Sequence, residues 1–405
     1  MVKLQQYGKT NEGRALYLAF VSNAANISNL ENIRVNNLRL AKQSGDNVAA
    51  NTTAPAIVWM SYSVHGNETS STEAALLTLY SLVDPSNTQT KQWLQNTVVI
   101  IDPCLNPDGR ERYVNWYTSV SGKKADVEPV AREHREPWPG GRSNHYYFDL
   151  NRDWAWQTQV ESRQRIQQYN QWLPQIHADF HEQGYNEPYY FAPAAEPYHE
   201  VITKWQRDFQ KTIGRNHAKY FDRNGWLYFT NERFDLLYPS YGDTYPTFNG
   251  SIGMTYEQGG IRAGLGIITA EGDTLTLDER VQHHHTTSLS TVEVASQHAL
   301  QLVSNFKKYF DTDNSGLYKS YIIKYKQEDR ERIQSLLQFF KNNNIEYGRG
   351  SGNGSGYDYH TRKNASYSIS GEDIVVSGTQ PKSALVRVLF DPDPRLADSL
   401  TYDIT

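Results

Sequence analysis

The stretch "SYSVHGNETSSTEAALLTLY", residues 61–80, is the most informative in the chain. Residues 56–62, which lead into it, form an apolar run that predicts a buried strand. Beyond it, Ala74, Leu76, Leu77 and Leu79 follow a helical pattern, and Ser70-x-x-Glu73 predicts a capping box at the helix start. His65 and Glu68 therefore fall on a turn between strand and helix, where α/β proteins place their chemistry. A histidine and a carboxylate three apart suit two ligands of one metal ion, or two turn residues facing water. The spacing alone does not choose between them.

Composition narrows the classes. The chain has 405 residues, enough for one large domain and a smaller one, and a formal charge of −5. That balance carries no signature for binding nucleic acid. A single cysteine, Cys104, excludes an intrachain disulfide and a cysteine-rich zinc site. No apolar run reaches the roughly 20 residues that span a bilayer, and the first residues lack the apolar core of a signal peptide. Aromatic residues make up 13% of the chain, 28 of them Tyr, which suits a substrate cleft or ordinary packing.

Strands and helices alternate to about residue 310. Strands are expected at 15–21, 56–62, 97–101, 176–181, 189–192 and 252–257, and helices at 70–82, 160–173, 199–215 and 288–310. This alternation predicts an α/β three-layer sandwich with a central mixed β-sheet. Residues 113–146, polar and rich in Pro and Gly, are expected to form an extended surface loop. After "DTDNSG" at 311–316 the pattern restarts. A strand is expected at 318–325, a helix carrying Ile333, Leu336, Leu337 and Phe340, a Gly/Ser/Asn loop at 348–356 and a strand at 384–390. Residues 1–310 thus read as the main domain and 311–405 as a small α+β appended domain.

A catalytic zinc site needs three protein ligands and one open position. The third ligand is sought in "QIHADFHEQGY", where His181 ends a strand and His177, on the same face, competes with it. The sequence contains neither HExxH nor G-x-S-x-G, so a helix-borne zinc site and a serine hydrolase of the α/β-hydrolase type are set aside.

Five motifs then occur in one order: HxxE at 65–68, "NPDG" at 106–109, "GRSNHYYFDLNRDW" at 141–154, His181, and "MTYEQGG" at 254–260. Together with "YGKTNEGRALYLA", which carries Glu12, Gly13 and Arg14, this order resembles the M14 family of zinc carboxypeptidases over about residues 5–310. The resemblance implies the family's phosphorylase/hydrolase-like fold and a monomeric enzyme. Its implied reaction removes the C-terminal residue of a peptide substrate with zinc-activated water, using one Zn2+ held by His65, Glu68 and His181. It further implies that Asp149 orients the first histidine, that Asn151 and Arg152 grip the substrate's terminal carboxylate, and that Arg142 stabilises the oxyanion as in the regulatory-type branch. Arg110, Arg112, Arg132 and Arg135 compete with Arg142 for that part.

By the same resemblance Glu257 is the general base and Tyr245 closes over the substrate terminus, with Tyr241 as its competitor. An alternative reading keeps the ligands and Glu257 in a related zinc amidohydrolase or deacylase acting on acylated amino acids or cell-wall peptides. A non-catalytic binding module on the same fold would have lost ligands or base, and all are present here. The short interval between Tyr245 and Glu257 removes part of the stretch that sets side-chain preference in pancreatic-type members, and Asn67 stands where some digestive members have arginine. Both termini look cut, the last stretch being "LADSLTYDIT". The expectation is an excised portion of a secreted or periplasmic protein whose leader is not in this chain. The triple "HHH" at 283–285 is expected before a helix, facing solvent.

Overall fold

The computed structural model describes residues 1–313 and 315–394, so the "LADSLTYDIT" reading lies outside the described residues. An eight-stranded mixed sheet organises the first 300 residues. Its strands are β1 (Val2–Lys9), β2 (Ala15–Val21), β3 (Ala56–Tyr62), β4 (Thr97–Asp102), β5 (Ile176–Gly184), β6 (Tyr189–Tyr190), β7 (Tyr228–Phe229) and β8 (Ile252–Ile261). They lie in the order β1-β2-β4-β3-β5-β8-β6-β7. β4, β3, β5 and β8 run parallel at the centre, and β1 and β2 close one edge antiparallel. β3 and β4 are buried at every position, as expected for parallel strands covered on both faces.

The two-residue period of a strand separates those faces. Tyr62, Phe180 and Tyr256 point to one side, where the Tyr62 hydroxyl meets Ser288 and that of Tyr256 meets Thr291 on the helix Leu277–Gln297. Trp59 and His177 point to the other, against Tyr169 of the helix Val160–Trp172 and against Trp154. Among the described residues no helix is long and apolar enough to cross a membrane.

Several local expectations need correction. Thr69 occupies the N-cap position of the helix Ser70–Val83 without a side-chain hydrogen bond to it, and no capping box forms. Instead Glu182 accepts from the Ser70 N–H and hydroxyl, while Glu73 pairs with Arg110. The first part of the expected 113–146 loop is helical, within Pro107–Val120, which starts from the Asn106 cap with Pro107 in its first turn. The helix expected at 199–215 begins later, as Lys204–Asn224, where Thr203 and Gln206 form a capping box. The one expected at 288–310 is two helices, Leu277–Gln297 and Ala299–Asp311. The HHH triple therefore lies inside a helix, with His284 wholly buried.

In the C-terminal region, Ser320–Ile323, Ile374–Ser377 and Tyr347–Arg349 form a three-stranded antiparallel sheet covered by the helix Arg330–Asn342. The Gly/Ser/Asn stretch is a strand, Gly352–Asp358, paired in a hairpin with Lys363–Ile369. Residues expected as a strand at 384–390 are a helix, Ser383–Phe390. A short apolar run does not distinguish the two by period. Apolar packing is continuous between this region and the main sheet.

Candidate metal centre

β3 is flanked by β4 on one side and β5 on the other, so the chain reverses its direction of winding between β3 and β5. Sites in open α/β sheets lie at the carboxyl ends of strands at such a switch. His65 follows the end of β3 by three residues, and His181 lies near the end of β5. Parallel pairing of β5 with β8 sets His181 beside Glu257. The third donor, Glu68, sits on the turn that β3 feeds into.

His65, Glu68 and His181 are all buried and offer ligand atoms within 4.8 Å of one another. His65 Nδ1 is 2.8 Å from Glu68 Oε1 and 3.2 Å from His181 Nδ1, and His181 Nδ1 is 3.1 Å from Glu68 Oε2. The outward nitrogens are also engaged: His65 Nε2 lies 2.9 Å from Asp149 Oδ1, and His181 Nε2 2.9 Å from Asp179 Oδ2. Each Nε2 donates to an aspartate, so a ring that holds one proton keeps it there and turns its Nδ1 lone pair inward, as a metal ligand requires. Two Nδ1 atoms and a carboxylate thus converge on one point. A cation satisfies that arrangement, and two imidazoles with one carboxylate form a donor set that suits zinc.

The surrounding charge favours a cation at this point, which protons on the rings or a metal ion in their place can supply. Burial opposes a charged His181 ring, yet Asp179 and Glu68 outweigh it and raise its pKa well above the ordinary histidine value. Burial likewise works against ionised Glu68, and the two imidazoles overcome it to hold the carboxylate low. At Asp149 burial is again outweighed, by His65 and Arg142. Glu257 differs: burial lifts it, and Glu68 adds to the rise against His181 and Arg142. Its carboxylate makes no side-chain hydrogen bond among the described residues.

Arg142 reaches the centre from the far side. Its Nε and Nη2 donate to Asp149 Oδ2 at 3.1 and 3.0 Å, and Nη1 to Glu68 Oε1 at 3.3 Å. The competing arginines lie elsewhere: Arg110 pairs with Glu73, Arg112 donates to the carbonyls of Gly140, Ser143 and Asn144, and Arg132 and Arg135 are exposed. Asn151 uses its carboxamide internally, accepting from the Gly242 N–H at 2.8 Å and facing His181 Nε2 at 3.3 Å. The Arg152 guanidinium rests on the Tyr241 ring, 4.5 Å from its centroid.

Tyr245, expected at the site, and His177, the competitor of His181, both lie away from the centre. Tyr245 is a core residue: its side chain is fully buried against Trp154 and Tyr169, and its hydroxyl donates to Asn343 at 2.8 Å. The expectation that it closes over substrate is therefore corrected: the ring packs in the core with its hydroxyl held by Asn343. His177 bonds the Ser61 hydroxyl at 2.9 Å beneath Trp154. Burial lowers its pKa to about 4, and it is a packing residue.

The structure also brings in residues that the sequence reading passed over. Asp179 backs His181 as Asp149 backs His65. Asn106 donates to the Arg142 carbonyl at 3.1 Å while its Oδ1 caps the helix through Gly109. A Cβ on Gly66 would lie 2.0 Å from the Arg110 nitrogen, and one on Gly109 2.3 Å from the Gly141 oxygen. Three backbone segments therefore meet without side chains between them, which holds Arg142 against the ligand turn. The early Glu12-Gly13-Arg14 motif joins the same corner, because Asp108 accepts from Thr10, the Glu12 N–H and Arg14. An Asp two before His181 on one strand face was the available signal for Asp179; the glycine contacts carry none without a partner segment.

Comparison with known proteins agrees with this architecture. The family model described as zinc carboxypeptidase, Peptidase_M14, matches residues 1–245. A metallo-carboxypeptidase from Burkholderia cenocepacia superposes with a TM-score of 0.50 at 13% identity, covering 73% of this chain and 65% of that one. The metallo-carboxypeptidase from Pseudomonas aeruginosa gives 0.45 at 11% identity over 74% and 65%. Carboxypeptidase A from Helicoverpa armigera gives 0.43 at 16% over 74% and 69%. The chain thus spans less than two thirds of the first two structures' own length. No curated protein matches it significantly. Because the family model covers more than half of the 405 residues, the chain belongs to the M14 zinc carboxypeptidase family.

Proposed function

We propose that the chain is a zinc-dependent metallocarboxypeptidase that hydrolyses the C-terminal peptide bond of peptides. The observation that carries this reading is the convergence of two imidazole Nδ1 atoms and the Glu68 carboxylate, each imidazole backed by its own aspartate. The chemistry a bound zinc ion supplies is Lewis-acid polarisation of a carbonyl and acidification of water. Glu257, beside His181 in the β5–β8 register, takes a proton from the attacking water and delivers it to the leaving amine. Its raised pKa suits a group that accepts and then returns a proton. Arg142 directs its guanidinium to the site rim, where it donates to the oxyanion that forms as the carbonyl is attacked. Arg152, with no ion pair among the described residues, takes the substrate's terminal carboxylate, and Asn151 holds the loop that presents it.

The test is incubation of zinc-loaded protein with a mixed peptide set and mass-spectrometric reading of the products, beside Glu257→Gln. Ladders shortened from the C-terminus, absent in the variant, are expected. Intact peptides in both samples would overturn the exopeptidase reading in favour of the small-substrate amidohydrolase.

A further inference from the structure

Arg152 makes no salt bridge among the described residues, so a long, otherwise mobile side chain is positioned by what it stacks on. An unbroken set of contacts leads from it into the C-terminal region. The Tyr241 ring beneath its guanidinium lies 4.8 Å from that of Tyr238, whose hydroxyl accepts from Trp156 Nε1 at 2.7 Å. The far face of Trp156 stacks on Phe339 of the helix Arg330–Asn342, with centroids 6.0 Å apart and planes inclined by 26°. A second line runs through Asn343, which is wholly buried just after that helix. Its Oδ1 accepts from Gln157 Nε2 at 2.9 Å and from the Tyr245 hydroxyl, and its Nδ2 donates to the Ala155 carbonyl at 3.2 Å. On the opposite side of the same segment, the Ser240 hydroxyl accepts from the Ala155 N–H and donates to the Arg152 carbonyl, both at 2.9 Å. Residues 152–157 are therefore sewn to 238–241 on one flank and to Phe339 and Asn343 on the other.

We propose that the C-terminal region sets substrate selectivity, with Phe339 and Asn343 acting as positioning residues that hold Arg152 where it meets a free C-terminal carboxylate. The inference rests on the reading of Arg152 given above. An arginine already placed over an aromatic face loses less side-chain freedom when it binds, and support behind the binding group maintains that placement.

The experiment uses the full chain, zinc-loaded, and measures kcat and KM for an N-acylated dipeptide with a free C-terminus and for its C-terminal amide. Arg152→Ala comes first; if it leaves the preference for the free acid unchanged, the reading of Arg152 falls and this inference falls with it. With that preference lost in Arg152→Ala, Phe339→Ala is expected to raise KM for the free acid about tenfold at nearly constant kcat. It is expected to leave the amide unchanged and to add nothing further in the Arg152→Ala background. Phe339→Tyr restores the wild-type KM, and Asn343→Ala moves it in the same direction as Phe339→Ala. Phe339 is partly exposed, and Phe339→Leu, which keeps bulk but removes the ring face, serves where the alanine variant does not fold. The inference is overturned by a folded Phe339 variant with wild-type KM, by equal losses on acid and amide, or by full additivity with Arg152→Ala.

Discussion

Two histidine groups in this molecule have opposite electrostatics. His65 and His181 stand 5.0 Å apart between ring centroids, each backed by an aspartate and facing Glu68. His283, His284 and His285 are consecutive on a helix and bond to neutral groups: Gln258, the Tyr189 hydroxyl and the Ser81 hydroxyl. In the first group the carboxylates raise His181 well above the ordinary value. In the second, burial lowers the three rings to about 4, 3 and 4 in order. The longer run of histidines is therefore packing, and the scattered pair, with Glu68, is the group that could hold a cation. Surrounding carboxylates decide the matter, not the density of imidazoles.

The strongest way to break this contrast is to remove a ligand. His181→Ala is expected to abolish stoichiometric zinc binding, read by metal analysis after dialysis, while the folded chain remains. Retained zinc at one ion per chain would show that another donor set holds the metal. Glu257→Gln separates binding from chemistry: zinc stays bound, and kcat/KM on a C-terminal peptide bond falls about 10²- to 10⁴-fold. Asp179→Asn tests the backing carboxylate, with a zinc affinity about 10- to 100-fold weaker in competition with a chromophoric chelator. An unchanged affinity would mean that Asp179 merely fills space.

His284→Ala probes the neutral group. It is expected to lower stability by about 2 kcal/mol in denaturant unfolding and to leave zinc affinity unchanged. A loss of zinc would contradict the division drawn here. Lys382 extends the contrast beyond histidine. Among the described residues its buried amine donates to the amide oxygens of Asn170 and Asn249, at 2.9 and 2.6 Å, and burial lowers its pKa to about 7. A base whose pKa is depressed by folding stabilises the chain most above its unfolded value of about 10.4. That contribution is lost as pH falls toward about 7, at no more than about 1.4 kcal/mol per pH unit. Lys382→Met should flatten the stability profile between those limits, as seen in thermal melts; parallel profiles would show that the amine is charged in the folded chain.

Part of the main sheet was legible because β2, β3 and β4 are nearly continuous apolar runs. Residues 15–21 and 56–62 appear as strands with the expected bounds, and Ile176 and Ile252 begin theirs as expected. Motif order singled out His65, Glu68 and His181, which the fold brings together. What escaped depended on partners distant in sequence. Glu73 looks like a capping residue until Arg110 takes it, and Tyr245 looks like a site residue until Asn343, 98 positions away, accepts its hydroxyl. The hairpin at Gly352–Asp358 has no apolar alternation to announce it, since its residues are Gly, Asn, Ser, Tyr and Asp. The helix Val160–Trp172 showed the reverse: most of it is polar in sequence, yet Arg165 is buried with its guanidinium 4.0 Å from the Trp154 ring.

The meeting of Gly66, Gly109 and Gly141 bears on how sequences with this corner can diversify. With no room for even a methyl group at these contacts, the corner beneath Arg142 leaves little freedom for substitution. Variation is freer at the rim, where the polar segment beyond Val120 carries exposed aromatics such as Trp138 and Tyr147. A library aimed at new substrates should leave the corner intact and randomise the rim.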